Sequence, residues 1–332
     1  MASQRYKFMN IKDNDILKLS KDEIGLGGMV TGVGNPTCSE GITLDNNMTG
    51  YNNDIMNLGI SKSGTIGLSV NVFDLSTLSL GSTFNFGKYQ VESETPWSIE
   101  WEIVHQTDDY QIAQTKQIID MRCFDAKEST NTDSGRKSSG NNNWQYSNIK
   151  QFLNSDQATW YSSQHQYDAP PNSTNVYNNY NPYDTHKGFL YYFSDEEKSL
   201  LKDITLTLAN NTVTDGGGSY TWTGKVWLPT YTQLGFGNNN NISEGIKFDK
   251  YNSNSDRVKS INKYCAENNK YCTNNNYREG RNHYYWMSSA NPSSSYSVWY
   301  VHSDGACATD IARYGYNGLA PCICLPRKLG GG

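Results

Sequence analysis

Three absences frame this chain. No apolar run approaches the roughly 20 residues that a helix needs to cross a bilayer, so no membrane insertion is expected. Basic clusters are missing as well: 28 Lys and Arg stand against 33 Asp and Glu, for a formal net charge of -5. Phosphate backbones are held by clustered Lys and Arg, so nothing here points to a nucleic-acid partner. Charge of either sign is scarce, at 18% of residues, and solubility must rest on the abundant uncharged Asn, Ser, Tyr and Gly. Such a surface suits reversible contact with glycans or proteins.

The opening MASQRYKFMNIKDNDIL lacks the apolar segment and small-residue cleavage site of a secretory signal, so action outside a cell would follow lysis or delivery in a particle. The closing Gly-Gly-Gly reads as a tag or linker. The seven cysteines, Cys38, Cys123, Cys265, Cys272, Cys307, Cys322 and Cys324, are odd in number and scattered, unlike a disulfide framework. Buried thiols are the main expectation. A Cys265–Cys272 bridge, or a zinc site with Cys322 and Cys324, is the sharper alternative, although two close Cys pairs are wanting.

Catalytic signatures are also absent. His105, His165, His186, His283 and His302 have no metal-binding spacing. Asp13-Asn14-Asp15 and Asp108-Asp109 lack the Gly and closing Glu of a calcium loop. Thr214-Asp-Gly-Gly-Gly218 has no following Lys-Ser/Thr to make a phosphate loop, and no Gly-x-Ser-x-Gly elbow occurs. No enzyme activity and no cofactor are expected, with a structural metal ion left open.

What is present suggests two units in 332 residues. Residues 1–88 are rich in Gly, Ser, Thr and Asn, with alternating runs at Thr65–Phe73 and Leu78–Phe86, and read as a small β-rich module for attachment or oligomerisation. From Tyr89 the texture changes. Ser98–Val104 alternates as a half-buried strand, with Thr115–Met121 as its expected hairpin partner. Ser147 is a candidate cap for a helix that buries Ile149, Phe152 and Leu153. Ser194-Asp-Glu-Glu197 is a capping box for a second helix that buries Leu200, Leu201 and Ile204, and Thr230–Gln233 offers a cap for a third. A long aromatic loop spans Trp160 to Tyr183. Asn238–Asn241 and Asn268–Asn276 read as surface loops. Strands are expected at Lys225–Pro229, Trp286–Ser289, Ser297–His302 and Ala320–Leu325, with a turn at Asp304-Gly305. The fold class is α+β, with small antiparallel sheets and two or three short helices.

The run Tyr284–Pro326 is the most informative. Trp286, Val298, Trp299, Val301 and the closing Leu319–Leu325 look like a framework, and small or aromatic polar residues of the kind used by binding loops lie between them. From Ser288 through Pro326 there is not one Lys, Glu, Gln or Met.

Several landmarks together resemble a known family: Cys123-Phe-Asp-Ala126, Asn143–Asn154, Lys187-Gly-Phe-Leu190, Ser194–Lys198, Lys225–Pro229, Tyr285-Trp286 and Gly318–Leu325. The segment is similar to a domain of clostridial and other Firmicutes phages and prophages, with a C-type-lectin-like fold related to the formylglycine-generating enzymes. Several members are variable proteins of diversity-generating retroelements, in which a template copied with errors at adenines replaces the 3′ end of a gene. Randomising the adenines of AAC or AAT never yields Lys, Glu, Gln, Met or Trp. Between Ser293 and Tyr316 every residue except Trp299 is reachable in this way.

The resemblance implies a C-type-lectin-like ligand-binding domain over residues 89–329, with a variable region at about 286–326. Its diversified ligand-binding residues would be Ser295, Tyr296, Ser297, Tyr300, His302, Ala306, Ala308, Asp310, Ile311, Arg313, Tyr314 and Tyr316, with Cys307, Thr309 and Gly315 as further candidates. The implied function is a phage or prophage receptor-binding protein of the tail or virion. Its partner would be a bacterial surface protein or glycan, and residues 1–88 would meet tail or baseplate proteins. A homo-oligomer is expected, a trimer by analogy with tail tropism proteins. An adhesin from an integrated element is the first alternative, a structural virion protein the second, and a formylglycine-type oxidase using Cys322 and Cys324 the last. The calcium-ligand triplets of animal lectins are absent.

Overall fold

The computed structural model describes residues 78–327 in full and, before them, the backbones of strands Val30–Thr31, Met56–Gly59 and Gly67–Val72. The chain divides into two compact units between Thr77 and Leu78. In the first unit, Gly67–Val72 pairs antiparallel with both of the other strands, in agreement with the alternation at Thr65–Phe73.

The second unit is α+β and is built on two five-stranded sheets. The first runs Val226–Trp227, Cys322–Pro326, Tyr110–Thr115, Trp97–Gln106, Thr83–Tyr89, every pair antiparallel. Strand Thr83–Tyr89, assigned from sequence to the opening module as far as Lys88, therefore pairs inside the second unit. Strands from both ends of the unit meet where Cys322–Pro326 lies against Tyr110–Thr115. The second sheet runs Cys307–Ile311, Ser297–Val301, Tyr285–Ala290, Gly318–Leu319, Asp120–Met121, with Cys307–Ile311 at its edge. Trp101, Trp227, Trp286, Tyr251 and Tyr285 are fully buried, and large aromatic side chains of this kind dominate the energetics of a core.

The expected hairpin partner Thr115–Met121 is corrected to Tyr110–Thr115. The Thr107 hydroxyl oxygen accepts from the amides of Asp109 and Tyr110, closing a tight turn that starts the return strand early. Ile118 and Ile119, which suggested a strand, are buried in the connection to the second sheet.

Helix Asn148–Leu153 forms as expected, with Ser147 accepting from the Lys150 amide and Ile149, Phe152 and Leu153 buried. Ser194 and Glu197 complete a capping box on Asp195–Leu200, but this helix stops before Leu201. Leu201 is buried, whereas Leu200 and Ile204 are half-buried, the latter opening a strand. Thr230 and Gln233 exchange the two bonds of a capping box without a helix, because the chain turns at Gly235 with φ +79. Short helices also occur at Ser134–Ser139, Asn254–Arg257, Lys263–Asn268 and Lys270–Asn274, so the expected two or three is too few. Lys270–Asn274 replaces a predicted surface loop: Asn269 caps it through the amides of Tyr271 and Cys272, and Cys272 packs on Met121 and Ile261. Among the described residues no helix is long and apolar enough to cross a membrane.

Candidate binding face

The segment from Asn291 to Asn317 is fastened to the rest of the domain chiefly through its main chain. Asn142, fully buried, donates its side-chain amide to the carbonyls of Asn291, Ser294 and Ser297 at 3.2, 2.7 and 2.9 Å. Arg136 Nε donates to the Ser295 carbonyl at 3.1 Å, while its guanidinium grips both oxygens of Asp215 at 2.8 Å. Thr212 holds the Pro292 carbonyl through its amide and its hydroxyl. Further along, the amides of Phe124 and Asp125 donate to Ala312, Tyr177 N to Arg313, Asn181 Nδ2 to Gly315 and Arg122 N to Asn317. Carbonyl oxygens are common to every residue type, so these bonds survive a change of side chain.

The packing beneath is stiff. Trp286, Val298 and Val301 are fully buried, and Trp286 Nε1 donates to the Arg122 carbonyl at 2.9 Å. Arg122 is itself buried, with Nε 2.6 Å from Asp120, whose carboxylate also accepts from Tyr89 and Asn269. A buried pair so fully hydrogen-bonded offsets its desolvation, and Asp120 raises the guanidinium pKa against the lowering effect of burial. Trp299 is half-buried on the reverse of the sheet, 4.9 Å from the Tyr231 ring and bonded to Asn239.

Pairing of Tyr300 with Ala308 and of Val298 with Asp310 puts Tyr300, Ala308 and Asp310 on one face of the sheet. His302 stacks on Tyr284 with ring centroids 4.8 Å apart, and Tyr284 lies 5.4 Å from Tyr300. Tyr314 and Tyr316 are 5.0 Å apart; Tyr177 meets Tyr314 at 4.6 Å and Tyr271 meets Tyr316 at 5.3 Å. Arg313 sits over Tyr177 at 5.3 Å. The structure thus brings Tyr300, His302, Ala308, Asp310, Arg313, Tyr314 and Tyr316 together on an aromatic surface.

The other candidates lie elsewhere. Ser295 is buried, its hydroxyl bonded to Asp133 at 2.7 Å, and Tyr296 packs over Gly135. Ser297 and Ile311 pair with each other on the reverse face, and Ala306 occupies the turn after Asp304. Cys307, Thr309 and Gly315, the further candidates, comprise two half-buried residues of the edge strand and one buried glycine. Tyr177, Tyr271 and Tyr284 join the face without having been candidates. The tyrosine-rich stretch Tyr177–Tyr183 was the available signal for the first of them.

Residues 108–327 match the model of a family described as Domain of unknown function (DUF6273). The chain belongs to this family. No curated protein and no solved structure matches the chain. Every residue named on the binding face falls within the DUF6273 segment, as do the Asn142 and Arg136 clamps.

Burial shields five of the six described cysteines. Cys123, Cys265, Cys272, Cys322 and Cys324 are buried and Cys307 is half-buried; Cys38 lies outside the described residues. The Cys265–Cys272 bridge is not formed, with sulfurs 3.8 Å apart. Burial pushes the Cys322 thiol well up and that of Cys324 up to about 12, so neither is a thiolate near neutral pH. No group of three or more His, Cys, Asp or Glu among the described residues could hold a metal ion. A separate cavity of about 270 Å³ is lined by Gln90, Glu92, His186, Lys187 and Tyr192. Its polar groups face one another: His186 lies 3.5 Å from Glu92, and Lys187 Nζ is 3.0 Å from the Tyr192 hydroxyl. Burial and the neighbouring Arg122 hold His186 down to about 3, hence neutral.

Proposed function

We propose that this protein is a phage or prophage receptor-binding protein whose carboxyl-terminal domain, of C-type-lectin-like fold, displays a diversified face to a bacterial surface protein or glycan. The observation that carries the reading is the main-chain clamp on Asn291–Asn317. A scaffold that grips carbonyls rather than side chains lets the exposed positions change while the fold persists. The codon-limited composition of the same segment, without Lys, Glu, Gln or Met, agrees with rewriting at adenines. Tyrosines supply contact area at low entropic cost, and several copies displayed together would gain strength through avidity. The first unit, residues 1–77, would provide attachment to a tail or baseplate and the oligomeric contact.

Sequencing the 3′ end of this gene from many individuals of one population tests the reading. Substitutions should cluster between Ser293 and Tyr316, confined to adenines of a nearby template repeat. Changes spread evenly along the gene would refute it.

A further inference from the structure

Asp310 has no cation. Its carboxylate accepts from Asn317 Nδ2 at 2.8 Å and from the Ile311 amide at 2.9 Å, and it takes part in no ion pair among the described residues. Arg313, three residues on, lies over the Tyr177 ring, while Arg281 covers Tyr277 and Lys270 Nζ donates to the Asn179 carbonyl. Three tyrosines lie near the carboxylate. Tyr300 shares its sheet face one residue pair away, and Tyr314 and Tyr316 follow it in the chain, each close enough to feel its charge. Partial burial raises the carboxyl, opposed by Asn317, the Ile311 amide and the Tyr316 hydroxyl, and no positive group contributes. The polar cavity at Glu92 is different, because that carboxylate already lies 3.5 Å from the Arg122 guanidinium.

A carboxylate that lacks a cation and lies beside three tyrosines has the two parts that recognise an organic ammonium: an opposite charge, and ring quadrupoles that attract positive charge. An anionic ligand would meet repulsion there, and a neutral one would leave the charge half-desolvated. Building on the surface-binding reading above, we infer that this face binds an alkylammonium group of its ligand, seated between Tyr300, Tyr314 and Tyr316 against Asp310.

The test uses the full chain, with choline and n-butylammonium as probes and their neutral isosteres, 3,3-dimethylbutan-1-ol and butan-1-ol, as controls, read by ligand-observed NMR titration. At least one ammonium should bind about tenfold or more tightly than its isostere, and Asp310→Asn should abolish that preference. The asparagine keeps an acceptor for Asn317, and Tyr316→Leu provides a second variant expected to weaken ammonium binding. Tighter choline binding indicates a quaternary headgroup, and tighter butylammonium binding a primary amine. Equal binding of charged and neutral probes, a preference that survives in Asp310→Asn, or no saturable ammonium binding overturns the inference. The population census reads the gene and the titration reads one chain, so either idea can fail alone.

Discussion

Asn142 holds the Ser294 carbonyl at 2.7 Å from a position with no solvent exposure, and the same amide reaches Asn291 and Ser297. One side chain thereby fixes the path into strand Ser297–Val301 by hydrogen bonds to three main-chain carbonyls. The Asn142 oxygen in turn accepts from Asn211, so the clamp is braced from behind.

Asn142→Ala removes these three bonds and leaves the Ser294 carbonyl without a donor, and is expected to destabilise the domain by roughly 2–4 kcal/mol. Urea denaturation measures this. The loss should be the same in a Tyr314→Ser background to within about 0.5 kcal/mol, because the clamp and the face are independent. Strong coupling between the two would count against a main-chain scaffold.

Half-buried candidates on the face should tolerate change where the framework does not. Ala308→Asp, Arg313→Ser and Tyr314→Ser are each expected to cost less than about 1 kcal/mol, against about 3–5 kcal/mol for Trp286→Ala. Ser295→Tyr should side with the framework, losing about 1–3 kcal/mol by overpacking beside Asp133. Thermal melts of the set check the ranking, and uniform losses would argue that the face is ordinary core.

Gly305 turns the chain between strands Ser297–Val301 and Cys307–Ile311 with φ +83, and an added Cβ would lie 1.8 Å from the Asn254 carbonyl oxygen. Gly305→Ala should therefore cost more than about 2 kcal/mol. Gly81 has the same φ with no atom within 4 Å, so Gly81→Ala isolates the backbone part and should cost less. Equal melting temperatures for the two variants would show that the Asn254 contact yields freely.

His283 is buried, with Nε2 2.9 Å from the Tyr316 carbonyl, and burial lowers its pKa to about 4 against that bond. Its folded pKa lies below the unfolded value of about 6.5, so acid protonates the unfolded chain first. The stability from the neutral ring is complete above about pH 6.5, is lost as pH falls toward 4, and changes no further below that. His283→Gln, which can still donate to Tyr316, should flatten the fall in urea midpoint between pH 7 and 4.5. An unchanged slope would place the proton uptake elsewhere.

With Cys38 replaced by Ser, an aromatic disulfide reagent should label Cys307 first among the described cysteines. Cys123, Cys265, Cys272, Cys322 and Cys324 should react only as fast as the domain opens. Rapid native labelling of Cys322 or Cys324 would restore interest in a reactive pair.

Much of this was legible in the sequence because it depends on local chemistry. Alternation placed Trp97–Gln106 and Ser297–Val301, and capping by Ser147 and Ser194 placed two helices, since both signals act within a few residues. The closing run Gly318–Leu325 read as framework and is buried throughout. Composition alone marked Ser288–Pro326 as unusual.

Only the tertiary structure decided which of the candidates share a face. The register of Ser297–Val301 against Cys307–Ile311 sets Tyr300 with Asp310 and sends Ser297 and Ile311 to the other side, and a pairing offset is invisible in either strand alone. Ser295 looked like its serine neighbours until Asp133, far away in the chain, covered it. The Asn142 clamp was equally hidden, because one asparagine in a polar run carries no periodicity and its carbonyl partners belong to every residue. Residue types fixed what the segment could become, whereas long-range contacts fixed where each side chain points.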